Sequence, residues 1–258
     1  MTNKPRHASH PRPIIPISRL DAVIFDMDGV VTDTARVHAA AWKRMFDEYL
    51  KERAQQTGDP FVPFDEQLDY RPYVDGKNRY DGARSFLESR GIDLAFGDPT
   101  GAPSAETVCG LANRKDRYFG AQLEEGGAEA YGSTVQLIRE LRAAGIATAI
   151  ISASQHMKEV LCSAGVFDLF DEKVGGVDAI ELDLQGKPDP AVFLEAANRL
   201  GVAPIRAAVI EDALAGVEAG RRGGFGLVIG VDRAGQAEAL REAGADIVVK
   251  DLAELQLA

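Results

Sequence analysis

Cysteine is nearly missing from this chain: Cys109 and Cys162 are the two in 258 residues, far apart and without C-x-x-C spacing. That spacing fits neither a disulfide framework nor a zinc site, so two buried thiols in a reducing compartment are expected. No apolar run reaches the roughly 20 residues that cross a bilayer, which excludes a spanning helix. Positive charge is also short, with 29 Lys and Arg against 40 Asp and Glu and a formal charge of -11. That deficit argues against a nucleic-acid or membrane surface, both of which favour positive fields. An anionic substrate would have to be met by a few well-placed cations. No internal repeat is visible. Met1 to Pro16 carries His, Pro and Arg but no signal-peptide apolar segment, so residues 1–18 read as a flexible leader and the cytoplasm as the location.

What is present is an ordinary globular composition, 45% hydrophobic and 27% charged, long enough to bury a substantial core. Ala22-Val23-Ile24-Phe25 is a continuous apolar run that stops at Asp26. Further buried strands are expected at Ile146 to Ile151, Ala207 to Ile210, Gly226 to Ile229 and Asp246 to Val249. Helical patterns lie between them: Val135, Ile138 and Leu141 share one face, as do Val192, Phe193, Ala196, Ala197 and Leu200. Gly145, Gly201 and Gly244 fall where helices should end. Short apolar strands alternating with amphipathic helices predict an α/β fold, a doubly wound, Rossmann-like parallel sheet with helices on both faces.

From Thr34 to about Ala130 no buried strand is expected, although Trp42, Met45, Phe46, Tyr49 and Leu50 recur at helical intervals and Phe86 and Leu87 begin another apolar face. A segment of roughly 95 residues is too long for a crossover and long enough for a small domain. The expected division is therefore a core of residues 19–34 and 130–258 with an inserted α-helical cap domain at 35–129. The cap leaves after the first strand, at the carboxyl edge where open α/β sheets bind ligands. The Gly-, Pro-, Asp- and Ser-rich stretch from Asp93 to Ala105 reads as an exposed loop of the cap.

Three strands end in polar residues of related chemistry: Asp26 and Asp28, then Ser152-Ala153-Ser154, then Glu211-Asp212. Each alone is equally a helix cap or a solvated turn. Together with Lys187 in Gly186-Lys187-Pro188, they describe a phosphoryl site. Phosphoryl groups are densely negative, so carboxylates approach them only with a cation between. Asp26 and Asp212 are hard oxygen ligands suited to Mg²⁺, while Ser152, its following N–H groups and Lys187 hold phosphate oxygens. An Asp nucleophile would pass through an aspartyl phosphate, and Asp28 would serve as general acid and base.

The four motifs, Asp26-Met27-Asp28-Gly29-Val30, Ile151-Ser152-Ala153-Ser154, Lys187-Pro188 and Ile210-Glu211-Asp212, resemble those of the haloacid dehalogenase superfamily in order, over residues 20 to 255. Phe25 to Trp42, FDMDGVVTDTARVHAAAW, most resembles the opening of the β-phosphoglucomutase subfamily. The resemblance implies that Asp26 is nucleophile and metal ligand and Asp28 acid/base, with its backbone carbonyl on the metal. It implies Asp212 as a second carboxylate ligand and Glu211 in or beside the metal shell. Ser152, Ala153 and Lys187 would bind the transferring phosphate. Thr34, His38, Arg79, Lys115 and Ser154 would contact substrate, Arg79 gripping its second phosphate and His38 helping to orient Asp28. Thr34 is open to a second reading as a hinge cap, and His156 reads either as a helix start or a sugar contact. Three departures stand out: Asp75 replaces the lysine before the cap glycine, with Lys77 nearby; Gln155 and His156 replace Lys and Asn; and the cap is longer.

The function so implied interconverts β-glucose 1-phosphate and glucose 6-phosphate through the 1,6-bisphosphate, with Mg²⁺ as cofactor and a sugar phosphate as substrate. No nucleic acid or membrane partner is expected, and the working form is expected to be a monomer. A phosphatase on a small sugar phosphate is the alternative, and a non-catalytic sugar-phosphate sensor a third reading.

Overall fold

A computed structural model describes residues 12–258. In chain order its elements are β1 (Ile14–Ile15), β2 (Ala22–Asp26), α1 (Ala35–Thr57), α2 (Arg79–Ser89), α3 (Val108–Gly126), α4 (Gly132–Ala143), β3 (Ala147–Ile151) and α5 (Met157–Ser163). They continue with β4 (Glu172–Val174), α6 (Gly176–Glu181), α7 (Ala191–Leu200), β5 (Ala207–Glu211), α8 (Leu214–Arg222), β6 (Leu227–Val231), α9 (Ala237–Ala243), β7 (Ile247–Val249) and β8 (Gln256–Leu257). The main sheet has six strands in the order β4-β3-β2-β5-β6-β7, every pair parallel.

The alternation of side chains along each strand builds two cores. Val23 and Phe25 join Ile150, Ile210 and Ile229 beneath α4 and α5, while Ala22 and Ile24 join Val209 and Val228 beneath α7, α8 and α9. Burial on both faces explains why these strands read as unbroken apolar runs. All five expected strands form. The edge strand β4 was not expected, because three residues containing Glu172 and Lys173 carry no apolar pattern. Gly145, Gly201 and Gly244 do end helices, all at positive φ.

Among the described residues no strand lies between β2 and β3. Helices α1, α2 and α3 enclose their own core of Trp42, Met45, Phe46, Phe64, Phe86 and Leu111, with the rings of Phe46 and Phe86 4.1 Å apart. Asn78 caps α2 by accepting from the N–H groups of Tyr80 and Asp81, and Thr107 caps α3 by accepting from that of Gly110. The chain leaves and re-enters the sheet domain side by side: Asp33 donates to the carbonyl of Glu129, and Tyr131 to that of Val31, both at 2.9 Å. The expected leader is shorter than residues 1–18, since β1 pairs with β8 at Ile14 and Ile15; residues 1–11 of it lie outside the described residues. No helix among the described residues is long and apolar enough to cross a membrane.

Candidate active site

β2 is the sheet's first strand in sequence, and its neighbours β3 and β5 arrive from opposite sides. The crevice of such a sheet opens at that switch point, and β2 ends there on Asp26. The chain then turns at Gly29, whose φ of 83° suits glycine, and a Cβ there would strike the carboxylate of Asp212. Asp28 is thereby folded back beside the end of β3.

Lys187 reaches in from the loop before α7 and donates to Oδ1 of Asp26 at 2.5 Å and to Oε1 of Glu211. Burial works against its charge, but the two carboxylates overcome this and raise its pKa above the usual lysine value. Glu211 is fully buried and its second oxygen accepts the N–H of Ala213 at 2.7 Å. Both of its oxygens are engaged, so it anchors the lysine and the turn into α8. Asp26, Glu211 and Asp212 each offer an oxygen within 4.8 Å of the others. Burial raises the carboxyls of Asp26 and Asp212 well above the carboxylate range, and their acidic neighbours raise them further. A divalent cation with a preference for hard oxygens fits this set, because it would offset the crowded charge that nearby Lys187 offsets only in part.

Asp28 stands apart from that cluster. Thr34 donates its hydroxyl to Oδ1, Ser152 donates to Oδ2 at 3.2 Å, and Nε2 of His38 lies 3.4 Å from Oδ1. Burial pushes its carboxyl up, yet His38, Thr34 and Lys115 outweigh that and hold it at about 2. Lys115 in turn bonds Nδ1 of His38 at 2.7 Å, and burial brings this lysine down to about 8. An ammonium donating to Nδ1 leaves the neutral imidazole's proton on Nε2, facing Asp28.

Asp26, Asp28, His38, Arg79, Lys115, Ala153, Ser154, Lys187 and Asp212 all line one cavity of about 60 Å³ between sheet and cap. Ser152 lies just behind it, with its hydroxyl also accepting the N–H of Ser154 at 3.0 Å. Ligand pockets usually span roughly 300–1,000 Å³, so the cap lies close over the sheet edge here, and a larger ligand would need it to move away. Thr34, expected to contact substrate or cap a helix, stands at the N-cap position of α1 without a side-chain cap bond; it is fully buried and gives its hydroxyl to Asp28. Lys77 lines the cavity, but its ammonium turns to Ser85 at 3.1 Å. His156 precedes α5 and faces Asp116 of the cap.

Two ionisable residues of this cavity, Tyr70 and Asp116, carried no signal in the sequence, and Asp75 had no expected role. Tyr70 begins a π-helical turn at Tyr70–Val74, an irregularity with no composition signal. Asp75 is half-buried beside it. Desolvation raises its carboxyl to about 7, with Glu211 adding and Lys187 opposing.

The family model for haloacid dehalogenase-like hydrolases matches residues 20–224. A β-phosphoglucomutase of Mycobacterium bovis is 49% identical over 240 residues, covering 92% of each chain. A phosphorylated carbohydrates phosphatase of Thermotoga maritima is 30% identical, covering 90% of this chain and 94% of its own. Among solved structures, a β-phosphoglucomutase from Clostridium difficile superposes with a TM-score of 0.71 at 26% identity, covering 92% of this chain and 93% of that one.

Proposed function

The chain belongs to the haloacid dehalogenase-like hydrolase family, and from that premise we propose that it is a β-phosphoglucomutase, converting β-glucose 1-phosphate to glucose 6-phosphate through the 1,6-bisphosphate. The observation that carries the reading is the meeting of Asp26, ion-paired to Lys187 at 2.5 Å, with an ionised Asp28 under a closed cap whose wall holds Arg79. The 49% identity to a β-phosphoglucomutase supports it.

In the first half-reaction a carboxylate oxygen of Asp26 attacks phosphorus of the bisphosphate. The new P–O bond to Asp26 forms as the P–O bond to the sugar breaks, and Asp28 passes to the departing sugar oxygen the proton it took from the acceptor hydroxyl when the bisphosphate was made. Ser152, the N–H of Ala153 and Lys187 hold the equatorial oxygens, whose charge must be stabilised throughout. Glucose 6-phosphate then leaves and β-glucose 1-phosphate enters; Asp28 removes the proton of its 6-hydroxyl, and that oxygen takes the phosphoryl group from Asp26, which regenerates the bisphosphate. His38 and Thr34 keep Asp28 ionised for this step, and Arg79 holds the phosphate at the far end of the sugar. Asp26, Asp212 and the backbone carbonyl of Asp28 would hold Mg²⁺, with Glu211 in or beside that shell and anchoring Lys187; the ion would supply charge neutralisation at the phosphoryl group. The closed cavity excludes the water that would otherwise take the phosphoryl group. The proposed working form is a cytoplasmic monomer acting on a small diffusible substrate; the charge of -11 disfavours nucleic-acid and membrane partners.

The second reading, hydrolysis of a sugar phosphate, is favoured by the 30% identity to a carbohydrate phosphatase. Supplying β-glucose 1-phosphate with a trace of the bisphosphate separates the two. Glucose 6-phosphate without free phosphate is the expected product; free phosphate without glucose 6-phosphate rules out the mutase.

A further inference from the structure

Asp116 stands where cap and sheet domain meet. It follows Lys115 on α3, and its carboxylate is 24% exposed on the cavity wall. Its Oδ2 lies 3.3 Å from Nε2 of His156, which belongs to the sheet domain between the Ser152–Ser154 loop and α5. Its Oδ1 lies 3.9 Å from Nη1 of Arg79 at the start of α2. Arg79 otherwise donates from Nη2 to the hydroxyl of Tyr80 at 2.9 Å and from Nε to Asn113 at 3.4 Å. One carboxylate is therefore shared unequally between an arginine and a histidine, and the nearer of the two comes from across the cap boundary.

The steps derived above make no use of His156, yet it is firmly placed. Its N–H donates to Oγ of Ser154 at 3.1 Å, and its ring packs 5.6 Å from that of Phe119. Asp116 beside it favours the imidazolium; burial opposes this, Glu159 on its own helix adds to it, and Lys115 from α3 opposes it.

We propose that His156 is a positioning residue for the distal phosphate of the substrate: its cation engages Asp116 and so leaves Arg79 free to grip that phosphate in the closed cap. The inference rests on the reading of Arg79 as the distal-phosphate contact. A carboxylate with no other cation would pair with Arg79 and repel an incoming phosphate, since both effects grow as water is excluded. A charged His156 removes that competition. The same contact ties the phosphate-binding loop to α3, so the protonation state that frees Arg79 also favours closure.

The test is calorimetric titration of glucose 1,6-bisphosphate, and separately of inorganic phosphate, into Asp26→Asn protein with and without His156→Gln, from about pH 6 to about pH 8.5. The bisphosphate should bind about tenfold more weakly to the His156→Gln protein at the acid end. The gap should close as pH rises through the pKa of His156, because the parent imidazole is then neutral as well. His156→Lys should restore tight binding and keep it at the alkaline end. Inorganic phosphate, which reaches Ser152 and Lys187 without Arg79, should bind all three proteins alike. Equal bisphosphate affinity at the acid end, an equal loss for inorganic phosphate, or no bisphosphate binding by the parent overturns the proposal. A failure of the mutase reading would show separately, as wild-type protein that forms no glucose 6-phosphate.

Discussion

Replacing Thr34 by valine removes one hydroxyl and keeps the shape of the side chain, which isolates what that hydroxyl does for Asp28. Thr34 is fully buried and its Oγ1 meets two groups, the Asp28 carboxylate and, at 2.8 Å, the hydroxyl of Thr32. Thr32 keeps a second partner, the carbonyl of Met27 at 3.2 Å, and α1 loses no cap bond. The cost therefore falls on Asp28. Burial alone would raise this carboxyl; His38, Thr34 and Lys115 together bring it to about 2. Against an ordinary aspartate near 3.9, that corresponds to roughly 2–3 kcal/mol of preference for the ionised form. Thr34 is one of three partners, so its share is about 1 kcal/mol, the size of a typical buried hydrogen bond. A native pKa below the unfolded value stabilises the fold above the unfolded pKa, and the contribution is lost as pH falls through the native one. Thr34→Val should thus unfold about 1 kcal/mol more easily at neutral pH, with the deficit fading between about pH 4 and about pH 2. Turnover should fall about tenfold with KM nearly unchanged, because Thr34 touches the acid/base and not the cavity. Urea unfolding at neutral and acid pH, beside steady-state kinetics, checks both effects. A deficit of equal size at both pH values, or a rise in KM matching the loss of turnover, would refute the assignment.

Chelation should abolish activity and added Mg²⁺ should restore it, while full turnover in excess EDTA would contradict the metal role of Asp26 and Asp212. Thermal unfolding gives an independent readout, since Mg²⁺ should raise the wild-type melting temperature but not that of Asp212→Asn. Gly216→Ala sets two effects against each other. Alanine favours a helix by about 1 kcal/mol, but a Cβ at this position of α8 would strike the carboxylate of Glu211, which is fully buried and bonded at both oxygens. The clash should win, costing about 1–3 kcal/mol net and displacing Lys187, so stability and phosphate affinity should fall together. A variant more stable than wild type would show that Glu211 gives way freely.

How much of this protein was legible in its sequence depends on where the information lies. The alternation of apolar strands and amphipathic helices was local, so it determined the α/β class and the five main strands; the long interval after β2 determined that a helical unit had to be inserted there. The motif residues were legible for a related reason: a parallel sheet brings strand ends to one edge whatever the loops do, so Asp26, Ser152 and Glu211-Asp212 had to converge. The edge strand β4 was hidden because Glu172 and Lys173 face solvent in part and carry no pattern. Only the tertiary structure decided who serves whom within the site. Nothing local to Thr34 tells a cap from a carboxylate donor, and nothing local to Glu211 shows that an acidic residue of the metal cluster also receives Lys187 and the N–H of Ala213. Asp116, His156 and Arg79 lie on three elements, α3, the loop before α5, and α2, and their meeting depends on how the cap closes. Periodicity encodes which face of an element is buried. The choice of partner for a buried charge is set by packing between elements distant in sequence, and that information exists only once the chain has folded.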